Sequence, residues 1–192
     1  ITILKSSVAF DTAQTISKPL TITGSAAANK ITVSGAANFI ISANTTFKNV
    51  TITGSTTATN GLFDVSQGKT LTFGATSNTT TITAMTAKNL FFADNTGAII
   101  NITSATISNC TIGTSGTTNS VVNITSGATA TITTSTFTNN SLLGTSMFNI
   151  NAATMNVYGS NIGTTASPNK ANGASFEAYF YNTNGTLKIG KS

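Results

Sequence analysis

Short runs in which β-branched residues alternate with small polar ones dominate this chain of 192 residues. TITGS stands at Thr21–Ser25 and again at Thr51–Ser55. A period of two puts the isoleucine of such a run on one face and both threonines on the other. No long stretch carries apolar residues at i, i+3, i+4 and i+7, so helices are not predicted. Two prolines, Pro19 and Pro168, and 16 glycines punctuate the runs. The pattern predicts an all-β chain of short strands.

A longer pattern phases these strands. An apolar pair leads through a small turn into a second strand at Leu62–Phe73, Phe91–Ile102, Val121–Ile132, Met147–Tyr158 and Tyr179–Ile189. The starts lie 29, 30, 26 and 32 residues apart. VAFDTAQTI at Val8–Ile16 and FIISANTTF at Phe39–Phe47 are read as earlier rungs. Such spacing suits one coil of a three-strand solenoid, and we expect one β-helix domain over residues 1–192 with about six to eight rungs. Ile22, Phe73, Ile102, Ile132 and Val157 are expected to face inward. A sandwich of hairpins is the alternative. It calls for tight turns such as Asn60-Gly61, Asn172-Gly173 and Asn184-Gly185, which most strand junctions lack.

A four-residue motif, Thr-[Phe/Ile/Ala]-x-Asn, marks where the coil should bend. It reads TFKN at Thr46–Asn49, TAKN at Thr86–Asn89, TISN at Thr106–Asn109 and TFTN at Thr136–Asn139. Asparagine tolerates the left-handed conformation, so each copy predicts a sharp corner just after a strand.

Composition narrows the setting. Charged residues are 7% of the chain, against roughly 25% in an ordinary soluble domain. Hydrophobic residues are 39%, enough with the alternation to build a core. Solubility falls to 41 Thr, 22 Asn and 21 Ser, which points to an extracellular or cell-surface location. The net charge of +5 comes from nine scattered lysines without arginine, so no nucleic-acid patch is expected. Cys110 is alone and, in SNCTI, reads as a small buried hydrophobe. No apolar run reaches the length of a membrane span. The sequence shows no leader peptide and no initiator Met, as expected of a mature or excised segment.

Residues able to do chemistry are few. There is no histidine, which removes the commonest general base and metal ligand. The carboxylates are Asp11, Asp64, Asp94 and Glu177. Asp64 and Asp94 are placed in neighbouring rungs, where a pair could serve glycoside hydrolysis or hold a hard cation; turn-proximal acids are the plainer reading. We expect no catalytic, cofactor or metal site. Asn-x-[Ser/Thr] sequons stand at Asn44, Asn49, Asn78, Asn101, Asn109, Asn123, Asn139 and Asn184, close to the number chance supplies in so Thr-rich a chain. TIT at Thr21, Thr51 and Thr81, spaced by thirty, raises an ice-binding hydroxyl array; Ile100–Ile102 and Asn156–Tyr158 interrupt it.

The chain resembles right-handed parallel β-helix proteins of the pectin-lyase-like type. Within them it is similar to repeat-bearing surface proteins and autotransporter passengers of the polymorphic outer membrane protein type. Phe92–Asn95 and Phe137–Asn140 match their Phe-x-x-Asn tetrapeptide, and Gly97-Ala98-Ile99 approaches their Gly-Gly-Ala-[Ile/Leu/Val] without its first glycine. The opening VAFDTAQTISKPLTITG resembles the start of such helices. Polysaccharide lyases of this fold use acidic calcium ligands and a basic residue, often Arg; this chain has no Arg, so their activity is not implied. The expectation is a non-catalytic structural protein: an adhesin stalk or a fibre subunit that self-associates end to end. The alternative is a binding module whose loops, Gly113–Ser120 and Gly159–Ser175, contact glycan or a host protein. An ice-binding solenoid and a polysaccharide-acting enzyme rank below both.

Overall fold

The computed structural model describes residues 1–3, 6–26, 29–76, 79–114, 117–144, 146–172 and 178–191. Its strands form three sheets of eight, ten and seven strands, and no helix occurs among the described residues. We call the sheets A, B and C in that order. The chain visits them in rotation. One circuit runs from Thr45–Lys48 in sheet A to Thr51–Ser55 in B, Phe63–Val65 in C and back to Thr70–Phe73 in A. Each strand pairs in parallel with its counterpart one coil away. This is the expected β-solenoid, and the strand counts fit six to eight rungs. Hairpins would make antiparallel pairs, and none occurs among the described strands.

The reason lies in the columns. In sheet A the register joins Ile22, Phe47, Phe73, Ile102, Ile132, Val157 and Ile189, coil upon coil. All are buried except Ile189, which is 65% exposed on the last coil. All five residues expected to face inward therefore do so. Burying each such side chain contributes about 1.5–3 kcal/mol, so a column is held by many equal terms. Sheet C supplies the facing column, where Phe63 stacks between Phe39 and Phe91, each with ring centroids 5.4 Å away. Coil length varies from 21 residues between Lys30 and Thr51 to 32 between Val157 and Ile189, because loops between strands absorb the difference.

The corners correct the motif reading. Asn49, Asn109 and Asn139 do adopt left-handed φ, at 54°, 56° and 53°. Asn89 does not; it is buried and used as a hydrogen-bonding strut. Nor do the four copies share one place in the coil. Asn49 turns from sheet A to B, Asn89 lies between B and C, and Asn109 and Asn139 bend the chain within sheet B. Ser104, Ser126, Thr134 and Ala152 take the same left-handed conformation without asparagine. That costs a non-glycine residue about 1–2 kcal/mol. Neighbouring coils offset it: Ser104, Thr134 and Ala152 each donate their backbone N–H to the next coil, to Thr133, Tyr158 and Thr183. Gly74 is required for another reason. A Cβ there would collide with the Thr103 carbonyl of the adjacent coil.

Phasing also needed correction. The apolar pair of the second long segment is in register as Leu90-Phe91, since Phe91 pairs with Phe63 and with Val122. A one-residue slip reverses every facing, so Phe92 points outward. Val8–Ile16 spans sheets B and C, whereas the other long segments span C and A.

Candidate functional site: a groove on the outer face of sheet C

The outward positions of four parallel strands line up as a row of Phe92, Asn123, Asn149 and Tyr181, each paired with the next. A second row follows two residues on: Asp94, Thr125, Asn151 and Thr183, with Asn151 paired to Thr125 and to Thr183. Together with Thr118 these residues line a groove of about 460 Å³. Its axis runs along the stack of coils, because successive members of each row belong to successive coils.

The floor is polar and preformed. Asn123 and Asn149 are each 5% exposed although they sit on the outer face. Asn149 donates from Nδ2 to Oδ1 of Asn123 at 2.8 Å. Asn123 in turn donates to the Thr118 carbonyl and to Oδ1 of Asn89, both at 3.3 Å. Asn89 Oδ1 also accepts the backbone N–H of Ser120 at 2.8 Å, and the Ser120 and Ser146 hydroxyls are 2.9 Å apart. The motif asparagine that makes no left-handed corner thus holds the loop that walls the groove. Among the described residues, Oδ1 of Asn149 and the Tyr181 hydroxyl have no hydrogen-bond partner. Tyr181 is 37% exposed and closes one end; Phe92 lies at the other.

The carboxylates are placed as follows. Asp64 pairs with Phe92 on the adjacent coil, so Asp64 and Asp94 do lie in neighbouring rungs. Burial pushes the Asp64 carboxyl above its ordinary value; Asn60, donating from Nδ2 to Oδ2 at 2.8 Å, opposes the rise, and the charge of Asp94 adds to it. Asp11 is exposed on a loop. Glu177 lies outside the described residues. No group of three or more His, Cys, Asp or Glu side chains placed to hold a metal occurs among the described residues. Cys110 is buried, and burial raises its thiol to about 11.

Other expected surfaces sort differently from their spacing. Thr21 belongs to sheet A, whereas Thr51 and Thr81 belong to B. Within B, Thr51, Thr81, Thr106 and Thr136 form one rank, and Thr83 aligns with Ser108 and Thr138 in a second. The interrupting segments Ile100–Ile102 and Asn156–Tyr158 lie on sheet A and do not break these ranks. Of the two loops expected to bind, Gly113–Ser120 reaches the groove through Thr118. In the other, Asn169 is turned into the core, where it serves the fold. The sequon residue Asn123 is closed to glycosylation in the folded chain by its burial. Ser115, Gly116 and residues 173–175 of these loops, and the sequon at Asn78, fall outside the described residues.

The sequence reading missed the groove residues. Phe92 was hidden in the run Leu90-Phe91-Phe92-Ala93, which has no alternation to phase it. Asparagines recurring at outward strand positions 123 and 149 were the available signal. No family model, no curated protein and no solved structure matches the chain. No helix of the described residues is long and apolar enough to cross a membrane.

Proposed function

We propose that this chain is a non-catalytic structural solenoid of an extracellular surface protein, working as the shaft of an adhesin or as a fibre subunit. The observation that carries the reading is the seven-member column from Ile22 to Ile189, which continues through seven successive strands of sheet A without interruption. Coil-to-coil backbone bonding resists bending and pulling along the stack, as a shaft requires. The resemblance to polymorphic outer membrane protein-type passengers supports a cell-surface setting. The absence of His and Arg from the sequence supports a role without catalysis.

At the first coil a cavity of about 300 Å³ is lined by core-type residues, among them Val8, Phe10, Ile31 and Phe39. Together with exposed Ile189, it offers apolar surface that a further coil would cover. End-to-end self-association is the proposed mode. Electron microscopy of the purified protein, with light scattering across concentration, tests it. Rods that lengthen with concentration are expected; short rods of one length at every concentration would sink the filament.

The groove favours a second reading, a binding module that presents sheet C to a glycan or host protein. The paired hydroxyl ranks of sheet B make ice binding testable alongside it, by the shaping of ice crystals at low protein concentration.

A further inference from the structure

The geometry points to a neutral oligosaccharide as the ligand of the sheet C groove, lying along the stack with its end sugars on Phe92 and Tyr181. The inference rests on the binding-module reading of this chain.

Three features select this ligand. The first is the spacing. Phe92 and Tyr181 are separated by three coil steps, about 14 Å at the usual strand separation, which admits about three sugar units. The second is the alternation of chemistry along the floor. An aromatic side chain at each end offers a flat apolar surface to the C–H face of a pyranose ring. Between them Asn123 and Asn149 present amides. Oδ1 of Asn149 is an acceptor in a side chain 5% exposed, without a partner among the described residues. An acceptor on the groove floor without a protein partner is available to a sugar hydroxyl. The third is charge. Among the described residues that line the groove, Asp94 is the single ionisable acid and none is a lysine. An acidic sugar would meet that carboxylate without a compensating cation, whereas hydroxyls can donate to it.

A peptide is a poorer occupant. Strand addition needs an open sheet edge, and here the backbone groups beneath the groove are already paired between coils. The groove instead has the mostly preformed, mixed aromatic and polar character of a small-ligand site. The buried amides are fixed by Asn89 and the Thr118 carbonyl before any ligand arrives.

The test uses the whole chain with neutral trisaccharides of glucose, mannose and N-acetylglucosamine, and with an acidic galacturonate trimer. Titration calorimetry reads affinity, and thermal unfolding reads the fold. We expect a neutral trisaccharide to bind. Phe92→Ala and Tyr181→Ala should each weaken it about tenfold or more with little change in unfolding temperature, because both side chains lie on the outer face. Asn149→Leu should weaken binding as well. If the acidic trimer binds instead, and the same variants weaken it, the ligand class is overturned while the binding module survives. If no saccharide binds, or if binding is unchanged in the two aromatic variants, the groove assignment itself is overturned.

Discussion

Asn140 and Asn169 stack one coil apart inside the solenoid, with Nδ2 of Asn140 donating to Oδ1 of Asn169 at 2.9 Å. The same oxygen accepts the backbone N–H of Asn140 at 3.0 Å. Asn140 repeats the device on its other side, where its Oδ1 accepts the N–H of Cys110 at 3.0 Å and its Nδ2 donates to the Ile107 carbonyl at 3.1 Å. The ladder satisfies backbone groups where sheet B bends and no strand partner can reach.

Asn140→Leu should therefore be costly. It leaves the Cys110 N–H and the Ile107 carbonyl unpaired in the interior, at about 1–3 kcal/mol for each group. Asn139→Ala, one residue earlier, loses the ease with which asparagine takes φ of 53° and an exposed hydrogen bond from Nδ2 to Oδ1 of Asn109 at 2.6 Å, together about 1–2 kcal/mol. Urea unfolding of the two variants should rank them in that order. Equal losses would mean that the ladder adds little.

Ile132→Asp and Thr131→Asp test the facing of one strand. Ile132 is fully buried between Ile102 and Val157, and a carboxylate there has no partner, so several kcal/mol should be lost, on the order of 3 or more. Thr131 faces outward between Asn101 and Asn156, and its change should cost about 1 kcal/mol or less. Thermal unfolding decides; a larger loss for Thr131→Asp would reverse the assignment.

Cys110 should make stability fall in alkali. Its folded thiol is raised from an ordinary 9.0 to about 11 by burial, so the folded chain holds that proton more tightly than the unfolded chain. The contribution is complete below pH 9.0 and is lost as pH rises through about 11. Cys110→Ala removes this term. The variant's stability should decline less steeply over that window than the parent's, and parallel curves would contradict the prediction.

Asp64→Asn should favour the fold at neutral pH. Burial raises the carboxyl above its ordinary 3.8, so ionisation in the folded state is disfavoured and stability falls as pH rises through the raised value. The amide avoids that loss and can still accept from Asn60. The variant should be the more stable protein at pH 7, and its advantage should shrink as pH falls through the raised value and be gone below 3.8. Denaturation at both pH values checks the sign.

The stacked character of the fold was legible in the chain itself. Alternation of period two at intervals of about thirty residues can bury Ile22, Phe73, Ile102, Ile132 and Val157 together only if strands stack in parallel. The lone Cys110 was legible as a core residue for the same reason, since it stands two residues before Ile112. What the sequence could not determine was which coil positions become neighbours. Coil length varies, so equal spacing does not mean an equal place: Thr21 parts from Thr51 and Thr81, and four copies of one motif serve three different bends. The Leu90–Ala93 run has no internal alternation, so only pairing with Phe63 and Val122 turns Phe92 outward. The groove depends on that pairing. It exists because four coils bring Phe92, Asn123, Asn149 and Tyr181 into one row, and because Asn89 reaches across to hold its wall. Local periodicity sets which face of a strand is buried; register between distant coils, decided by loop lengths and core packing, sets what the exposed face can bind.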